Sequence, residues 1–573
     1  MHHIAYVLLR RIHAPLIVLI CAYAVAVLGF VLIPGIDSNG KPWRMDFFHA
    51  FYFVSFLGTT IGLGEIPYPF SDAQRMWATV SIYGTVIAWL YGIGAALTAL
   101  QDPAFQVILR ESSFRRAVQR ITEPFYLVCG YGDTGSQLVR ALSEAGYRSV
   151  VIEIDQGRVI ALELEDLALP VPGLCADAAE PDNLLLAGLS KPNCIGLFAL
   201  TNVDDANLKI AINSKLLSPR LPVIARAESR SVEANMASFG TDQIINPFNT
   251  FAGRLAMALH SPGMFLLYEW ITAVPHEPLR EPIFPPHGRW ILCGYGRFGK
   301  AVYERLIAEN VPVTIIEADP DLTSAPADTI LGSGAEASTL LEAGICDAVG
   351  IVAGTDNDAS NLSIIMTARE LNPKLFMVAR QNYHQNNTIF KAARLNLTMR
   401  RGTVIANKIF ALTTTPLLSD FFRLAHPMSN EWANQLVSRI GAVTGDEVPQ
   451  TWALHITPAE APAVYLGIAK GGVARIEDLY RDPRNRDEYL GCIALLIKRG
   501  ETPILLPDEN LPLEKGDHVL LCGHFGARYQ MEWIARNHNV FDYLITGQER
   551  PSGALWQWLS RRRKKTYSEQ SSG

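Results

Sequence analysis

Two stretches of this chain run without a charge for the length of a membrane-crossing helix. The first, Ala14 to Pro34, reads APLIVLICAYAVAVLGFVLIP, and the second, Met76 to Gln101, reads MWATVSIYGTVIAWLYGIGAALTALQ. Either is long enough to span a hydrocarbon layer, which takes about 20 apolar residues as a helix. A cleaved signal peptide is the competing reading of the first, because small residues such as Ala22 and Ala24 are paired in it. Its length exceeds the roughly 7–15 residues of a signal-peptide core, however, and a second span follows. Between the two lies MDFFHAFYFVSFLG (45–58), apolar but too short to span, which suits a re-entrant helix. Directly behind it comes TTIGLGE (59–65). Irregular backbone at membrane depth is tolerated only inside protein or along a water-filled path. Alternating glycines admit backbone conformations that turn successive carbonyls to one side, and rings of such carbonyls replace an ion's hydration shell. Thr60, Ile61, Gly62, Leu63 and Gly64 therefore form a candidate ion filter. Gly84 and Gly92 in the second span are candidate hinges, or small residues that allow close helix packing.

The pattern changes after an amphipathic stretch at 103–123. FYLVCGYGDTGSQLVRALSEAGYRSVVIEID (125–155) returns as RWILCGYGRFGKAVYERLIAENVPVTIIEAD (289–319). Residues 174–189 then pair with 330–345, and 224–229 with 378–383, so three blocks in one order mark an internal duplication. Each copy has a β-rich run, G-x-G-x-x-G, a helical pattern and a second strand ending in Glu, as a dinucleotide-binding βαβ unit requires. Gly130 and Gly294 serve the tight turn, Gly132 and Gly296 the approach to phosphate, and Gly135 and Gly299 close helix–strand packing. The helix N-terminus that follows favours a phosphate anion. Asp133, Thr134, Arg297 and Phe298 complete the two loops. Glu153 and Glu317 are placed to accept from ribose hydroxyls, which favours NAD or an adenine nucleotide over a 2′-phosphate, although Arg158 keeps that choice open. The first copy carries Asp177 in CADA where the second has Ser333 in GSGA, so the first is the better binding candidate. Arg297 either pairs with phosphate or is a solvated helix-start residue. A Rossmann-like domain that keeps its glycines and binds nothing is the alternative for both copies. Asp204, Asp205, Asp356 and Asp358 are candidate Ca2+ ligands, with helix N-caps as the plainer reading.

Charge and composition narrow the class. The formal net charge of −6 over 573 residues argues against a nucleic-acid binder. The eight cysteines are scattered with no C-x-x-C, as in reduced cytosolic thiols. Arg10 and Arg11 precede the first span and Arg110, Arg115, Arg116 and Arg120 follow the second, against Lys41, Arg44 and Arg75 between them. This bias places both termini in the cytoplasm of a multi-pass cell (inner) membrane protein, in contact with lipid. His260, His276 and His287 sit near Pro or Gly and read as loop or surface residues, so no catalytic pairing emerges. Alternation and turn signals over 436–528 suit a small β-rich lobe. The basic run in SRRRKKTYSEQSSG (560–573) reads as a solvated tail or a contact to anionic lipid.

Span, half-helix, TTIGLGEIP and span together resemble the pore module of the two-transmembrane potassium channels, whose filter is usually T-V-G-Y-G-D. GYGDTG, GYGRFG, ADA and ARAES resemble the N-lobes of regulator-of-K+-conductance (RCK) domains. The resemblance implies K+ bound at the carbonyls of Thr60, Ile61, Gly62 and Leu63, with Glu65 in the place of the usual aspartate. Leu63 departs from the family's tyrosine, so apolar contact with Phe53 or Tyr52 has to brace the filter. It further implies a homotetramer with a cytoplasmic ring of eight RCK lobes, a ligand-gated channel and not an enzyme, with NAD, an adenine nucleotide and possible Ca2+ as ligands. The rival is a membrane-anchored NAD-binding regulator or oxidoreductase without its own pore. The expected fold class is an α-helical pore (two transmembrane helices and a re-entrant helix) joined to two α/β Rossmann-like N-lobes and a small α+β C-lobe. The expected domains are the pore at 1–101, a linker at 102–123, the first N-lobe with crossover helices at 124–273 and a Pro-rich linker at 274–288. The second N-lobe with its crossover helix follows at 289–425, the C-lobe at 426–540 and a partly disordered tail at 541–573.

Overall fold

A computed structural model describes residues 2–59, 68–101, 103–273, 281–445 and 447–548. The chain separates into two compact units, Met1–Arg120 and Ile121–Gly573.

In the first unit, α1 (His2–Leu32) and α3 (Asp72–Gln101) are long and apolar enough to cross a membrane, and α2 (Phe47–Gly58) is a shorter apolar helix between them. Helix α4 (Pro103–Arg120) closes the unit. Asp46 caps α2 by accepting from the His49 backbone N–H at 2.8 Å, which satisfies one of the helix's orphan donors. Packing requires Gly29 to be small, since a Cβ there would lie 2.0 Å from the Trp77 indole. That ring slots against α1 and donates its Nε1–H to the Ala26 carbonyl at 3.0 Å.

In the second unit, each copy of the duplication folds as a six-stranded parallel sheet. The first contains β1 (Phe125–Cys129), β2 (Arg148–Glu153), β3 (Gly173–Cys175), β4 (Cys194–Ala199), β5 (Val223–Arg226) and β6 (Gln243–Ile245). Their spatial order is β3-β2-β1-β4-β5-β6, with Val128 of β1 opposite Val151 of β2. All five residues of β1 are buried, as a central strand covered on both faces demands. The glycine loop after β1 leads into α5 (Asp133–Glu144). Two helices leave the lobe, α6 (Pro247–His260) and α7 (Pro262–Ile271). The second sheet, with β7 (Trp290–Cys293), β8 (Val313–Glu317), β9 (Ile330–Leu331), β10 (Gly350–Ala353), β11 (Phe376–Gln381) and β12 (Leu397–Arg400), repeats the order as β9-β8-β7-β10-β11-β12. Its glycine loop opens α8 (Arg297–Ala308), and its exit helices are α9 (Arg401–Thr414) and α10 (Leu417–Ala425).

The exit helices cross over. Phe248, Phe251 and Leu255 of α6 pack into the second lobe with Phe298, Val302 and Leu306 of α8. Ile405, Ala406 and Ile409 of α9 pack into the first lobe with Leu138, Val139 and Leu142 of α5. Each copy thus completes the core of the other.

After α11 (Asn430–Thr444) the C-lobe forms a four-stranded antiparallel sheet of β13 (Gln450–His455), β14 (Cys492–Arg499), β15 (Thr502–Leu505) and β16 (His518–Gly523), ordered β13-β16-β14-β15. Strand period two sorts its residues between two cores: Val519 and Leu521 face one, Leu520 and Cys522 the other. A register shift between Ala494 and Leu496 lets Leu495 and Leu496 enter the same core, so the alternation in CIALLIKR is broken by a bulge. The lobe also extends past 540. A helix at His538–Thr546 buries Phe541 and Leu544, so a tail boundary at 541 would cut an ordered helix.

The fold class expected from the sequence is therefore the one observed: two long apolar helices with a half-length helix between them, two Rossmann-like lobes and an α+β C-lobe.

Candidate functional site

The two glycine loops have nearly the same geometry. Gly130 and Gly294 take φ of +102° and +94°, a left-handed conformation that L side chains rarely adopt. A Cβ on Gly135 would lie 2.0 Å from the Gly130 carbonyl oxygen, and one on Gly299 equally close to that of Gly294. Gly132 and Gly296 are the N-cap residues of α5 and α8, and neither supplies a side-chain cap, which leaves each helix start suited to an anion.

The acids that end β2 and β8 brace these loops. Glu153, almost fully buried, accepts from the Tyr131 N–H at 2.5 Å and the Asp155 N–H at 2.9 Å. Glu317 accepts from Tyr295 at 2.5 Å, Ala318 at 2.9 Å and Asp319 at 3.2 Å. An ionised carboxylate has about four acceptor positions, so ribose hydroxyls remain compatible with these bonds. In the first lobe Arg158 completes the mouth. Its Nη1 is 3.9 Å from the Glu153 carboxylate and 3.2 Å from where a Gly132 Cβ would stand. The second lobe supplies its guanidinium from Arg297, inside the glycine loop itself.

Other sequence-predicted residues do not join these sites. Phe298 is fully buried against Phe248 and Phe251, so its ring is a packing element and not a ligand contact. Thr134 is buried at the matching place in the first lobe. Asp177 accepts from the Ala179 N–H at 2.8 Å in its own turn, and the Ser333 hydroxyl accepts from the Ala335 N–H at 3.3 Å. Asp204 accepts from the backbone N–H groups of Glu228 and Ser229, and Asp358 from those of Asn382 and Tyr383. Asp356 pairs with Arg380 at 2.5 Å, and Asp205 is exposed. Asp204 and Asp358 hold loops, and among the described residues no group of three His, Cys, Asp or Glu side chains stands ready for a metal.

Residues outside the expected set join the two lobes. Arg226 at the end of β5 donates to Asn202 at 2.9 Å and to Glu228, and Glu228 also lies 3.1 Å from Arg297 of the second lobe. Arg297 stands over the Phe248 ring at 5.7 Å, and Arg380 over the same ring at 5.0 Å. The signal for them was positional: ligands of open α/β sheets gather at the carboxyl ends of the strands, where Arg226 and Arg380 sit.

Burial pushes the Cys293 thiol at the end of β7 up to about 12, so it is held as a neutral thiol. Tyr131 is raised chiefly by burial and then by donating to Glu165, whereas Tyr295 is raised by burial and the neighbouring Tyr303.

In the first unit the filter residues Thr60, Ile61, Gly62, Leu63 and Gly64, with Glu65, lie outside the described residues. Phe53 is committed to Phe30, Phe56 and Phe70, at ring centroid distances of 4.9, 5.0 and 4.9 Å, and Tyr52 stacks edge-on with Phe56. Helix α3 continues through Gly84 and Gly92, and a Cβ at either would meet nothing within 4 Å, so neither is required small by packing within this chain.

The TrkA-N domain model matches residues 126–247 and 290–400. Both N-lobes are TrkA-N domains. The likeness to two-transmembrane potassium channels with tandem RCK domains stands with them. Potassium channel protein 1 of Methanocaldococcus jannaschii is 23% identical over 293 residues, which is 50% of this chain and 84% of that one. The Trk system potassium uptake protein TrkA homolog of Methanothermobacter thermautotrophicus is 30% identical over 142 residues, covering 24% of this chain and 65% of that one. Among solved structures, the GsuK channel is 18% identical with a TM-score of 0.47, covering 95% of this chain and all of that one. In the same chain as the TrkA-N lobes, α1 and α3 are long and apolar enough to cross a membrane.

Proposed function

We propose that this protein is a nucleotide-gated potassium channel. The observation that carries the reading is the union, in one chain, of a half-length helix set between two membrane-length helices with two lobes whose glycine loops are shaped for a phosphate. The relatives named as potassium channels and potassium uptake proteins point to the same ion. K+ passes the carbonyls of Thr60, Ile61, Gly62 and Leu63 in a filter assembled from four copies, and eight lobes form the cytoplasmic ring. NAD or an adenine nucleotide binds first at the lobe of Gly130, Gly132, Gly135 and Glu153, where Arg158 adds a cation beside the phosphate loop. Gating follows when the ligand binds the open and closed arrangements with different affinity.

The protein reconstituted in liposomes tests this directly: nucleotide should change K+ flux, and NAD turnover without any flux would overturn the channel in favour of an oxidoreductase. Gly62→Val should abolish the flux while the assembly elutes at its usual size, since a β-branched residue cannot take the backbone conformations a filter glycine uses. Retained K+ flux in that variant removes residues 60–64 from the filter.

A further inference from the structure

The cation inside the second lobe's glycine loop, Arg297, is already engaged by the other lobe. Its guanidinium lies 3.1 Å from the Glu228 carboxylate and over the Phe248 ring at 5.7 Å, and both partners belong to the first copy. Glu228 is buried and placed firmly. Its other oxygen accepts from Arg226, which is itself buried and bonded to Asn202 at 2.9 Å, and the Glu228 backbone N–H is held by Asp204 at 3.0 Å. Asn202 in turn lies beside the first phosphate loop, its Nδ2 3.9 Å from where a Gly132 Cβ would stand. A row of polar side chains therefore runs from one glycine loop to the other: Asn202, Arg226, Glu228, Arg297.

Electrostatics determines what this does to a ligand. A phosphate at the start of α8 would be drawn to Arg297 for the same reason that Glu228 is, because a guanidinium pairs with either oxyanion. A buried carboxylate beside the phosphate also repels it. We propose that Glu228 of the first lobe gates the nucleotide site of the second, holding Arg297 in the place of a nucleoside diphosphate's phosphate. A nucleotide enters the second lobe by taking Arg297 from Glu228. Its entry takes Arg297 from Glu228, which stays bonded to Arg226, and loosens the contact between lobes, so occupancy of the second site is read by the first. This rests on the nucleotide-binding reading of the lobes, and the reverse sequence pattern supports the direction. The position equivalent to Arg297 in the first loop is Asp133, and the position equivalent to Glu228 in the second copy is Asn382, so only one of the two sites carries this internal ion pair.

Calorimetric titration of ADP into the full-length protein tests it, in a Gly132→Leu background that weakens the first lobe's site so that the second is read separately. Adding Glu228→Gln should raise ADP affinity at least ~10-fold, within the usual range of coupling between sites, and adding Arg297→Gln to that pair should remove the gain. Glu228→Asp, which keeps a partner for the buried Arg226 but draws back from Arg297, should give part of the gain and serves if the glutamine variant does not fold. Equal affinity with and without the Glu228 changes overturns the gate, as does a gain that survives Arg297→Gln. If the unmodified protein binds no ADP or NAD at all, the nucleotide reading itself fails and the gate with it. Binding by the unmodified protein alongside unresponsive Glu228 variants sinks the gate alone.

Discussion

The two TrkA-N lobes share a sheet order, a glycine loop and a bracing glutamate, yet they meet their surroundings differently. Over the first loop, the crossover helix α9 comes so close that a Cβ on Gly402 would lie 2.9 Å from the Asp133 carbonyl group. Over the second, the crossover helix α6 presents Phe248, whose ring fills the space and takes Arg297 and Arg380 on its face. The first lobe keeps its cation, Arg158, on its own chain segment beside Glu153. The second lends its cation to a carboxylate of the first. Duplication preserved what the backbone requires and let the contacts between copies diverge. One site is thereby left with a cation of its own, and the other is tied to its neighbour.

Variants at matched positions separate the shared frame from the divergent contacts. The largest effect belongs to Gly135→Val and Gly299→Val. Each drives a side chain into a carbonyl that a Cβ would meet at 2.0 Å, so each should cost about 3 kcal/mol in denaturant unfolding. A large inequality between the two would show that the loops are not built alike. Next come Gly132→Leu and Gly296→Leu in nucleotide titrations. The first strikes Arg158 and should weaken binding at its lobe by ~10-fold or more, while a Cβ at 296 meets open space and should matter less. An equal loss at both lobes would remove Arg158 from the account. The smallest contrast is Tyr131→Phe against Tyr295→Phe. The Tyr131 hydroxyl donates at 2.5 Å to Glu165, which Arg140 also holds, so its loss should cost about 1 kcal/mol. Tyr295 has Tyr303 and Lys300 beside its ring, and its loss should register close to zero. A stability loss at Tyr295 matching that at Tyr131 would erase the distinction.

Local chemistry explains which features were legible in the sequence. Gly130, Gly294 and the Glu residues closing the second strands are fixed by backbone conformation and by bonds to neighbouring N–H groups, so spacing alone finds them. Spacing misleads at Phe298: its position in G-x-G-x-x-G says loop, while the ring's surroundings are set by Phe248 and Phe251, whose helix starts some fifty residues earlier in the chain. The place of Asp177 after the third strand suggests a ligand role, yet it serves its own turn. Gly84 and Gly92 stand out in the second span, whereas a close approach of helices falls on Gly29 under Trp77.

Residue order alone sets the charge-free spans, the duplicated βαβ pattern and the lobes' glycine loops, because each follows from periodicity or from a conformation few residues adopt. It takes the folded chain to show that each copy's exit helix completes the other's core, that Phe248 covers one loop and Gly402 the other, and that Glu228 reaches Arg297. Those pairings join residues far apart in the chain, and what selects them is the burial of apolar helix faces, which carries no signature in spacing.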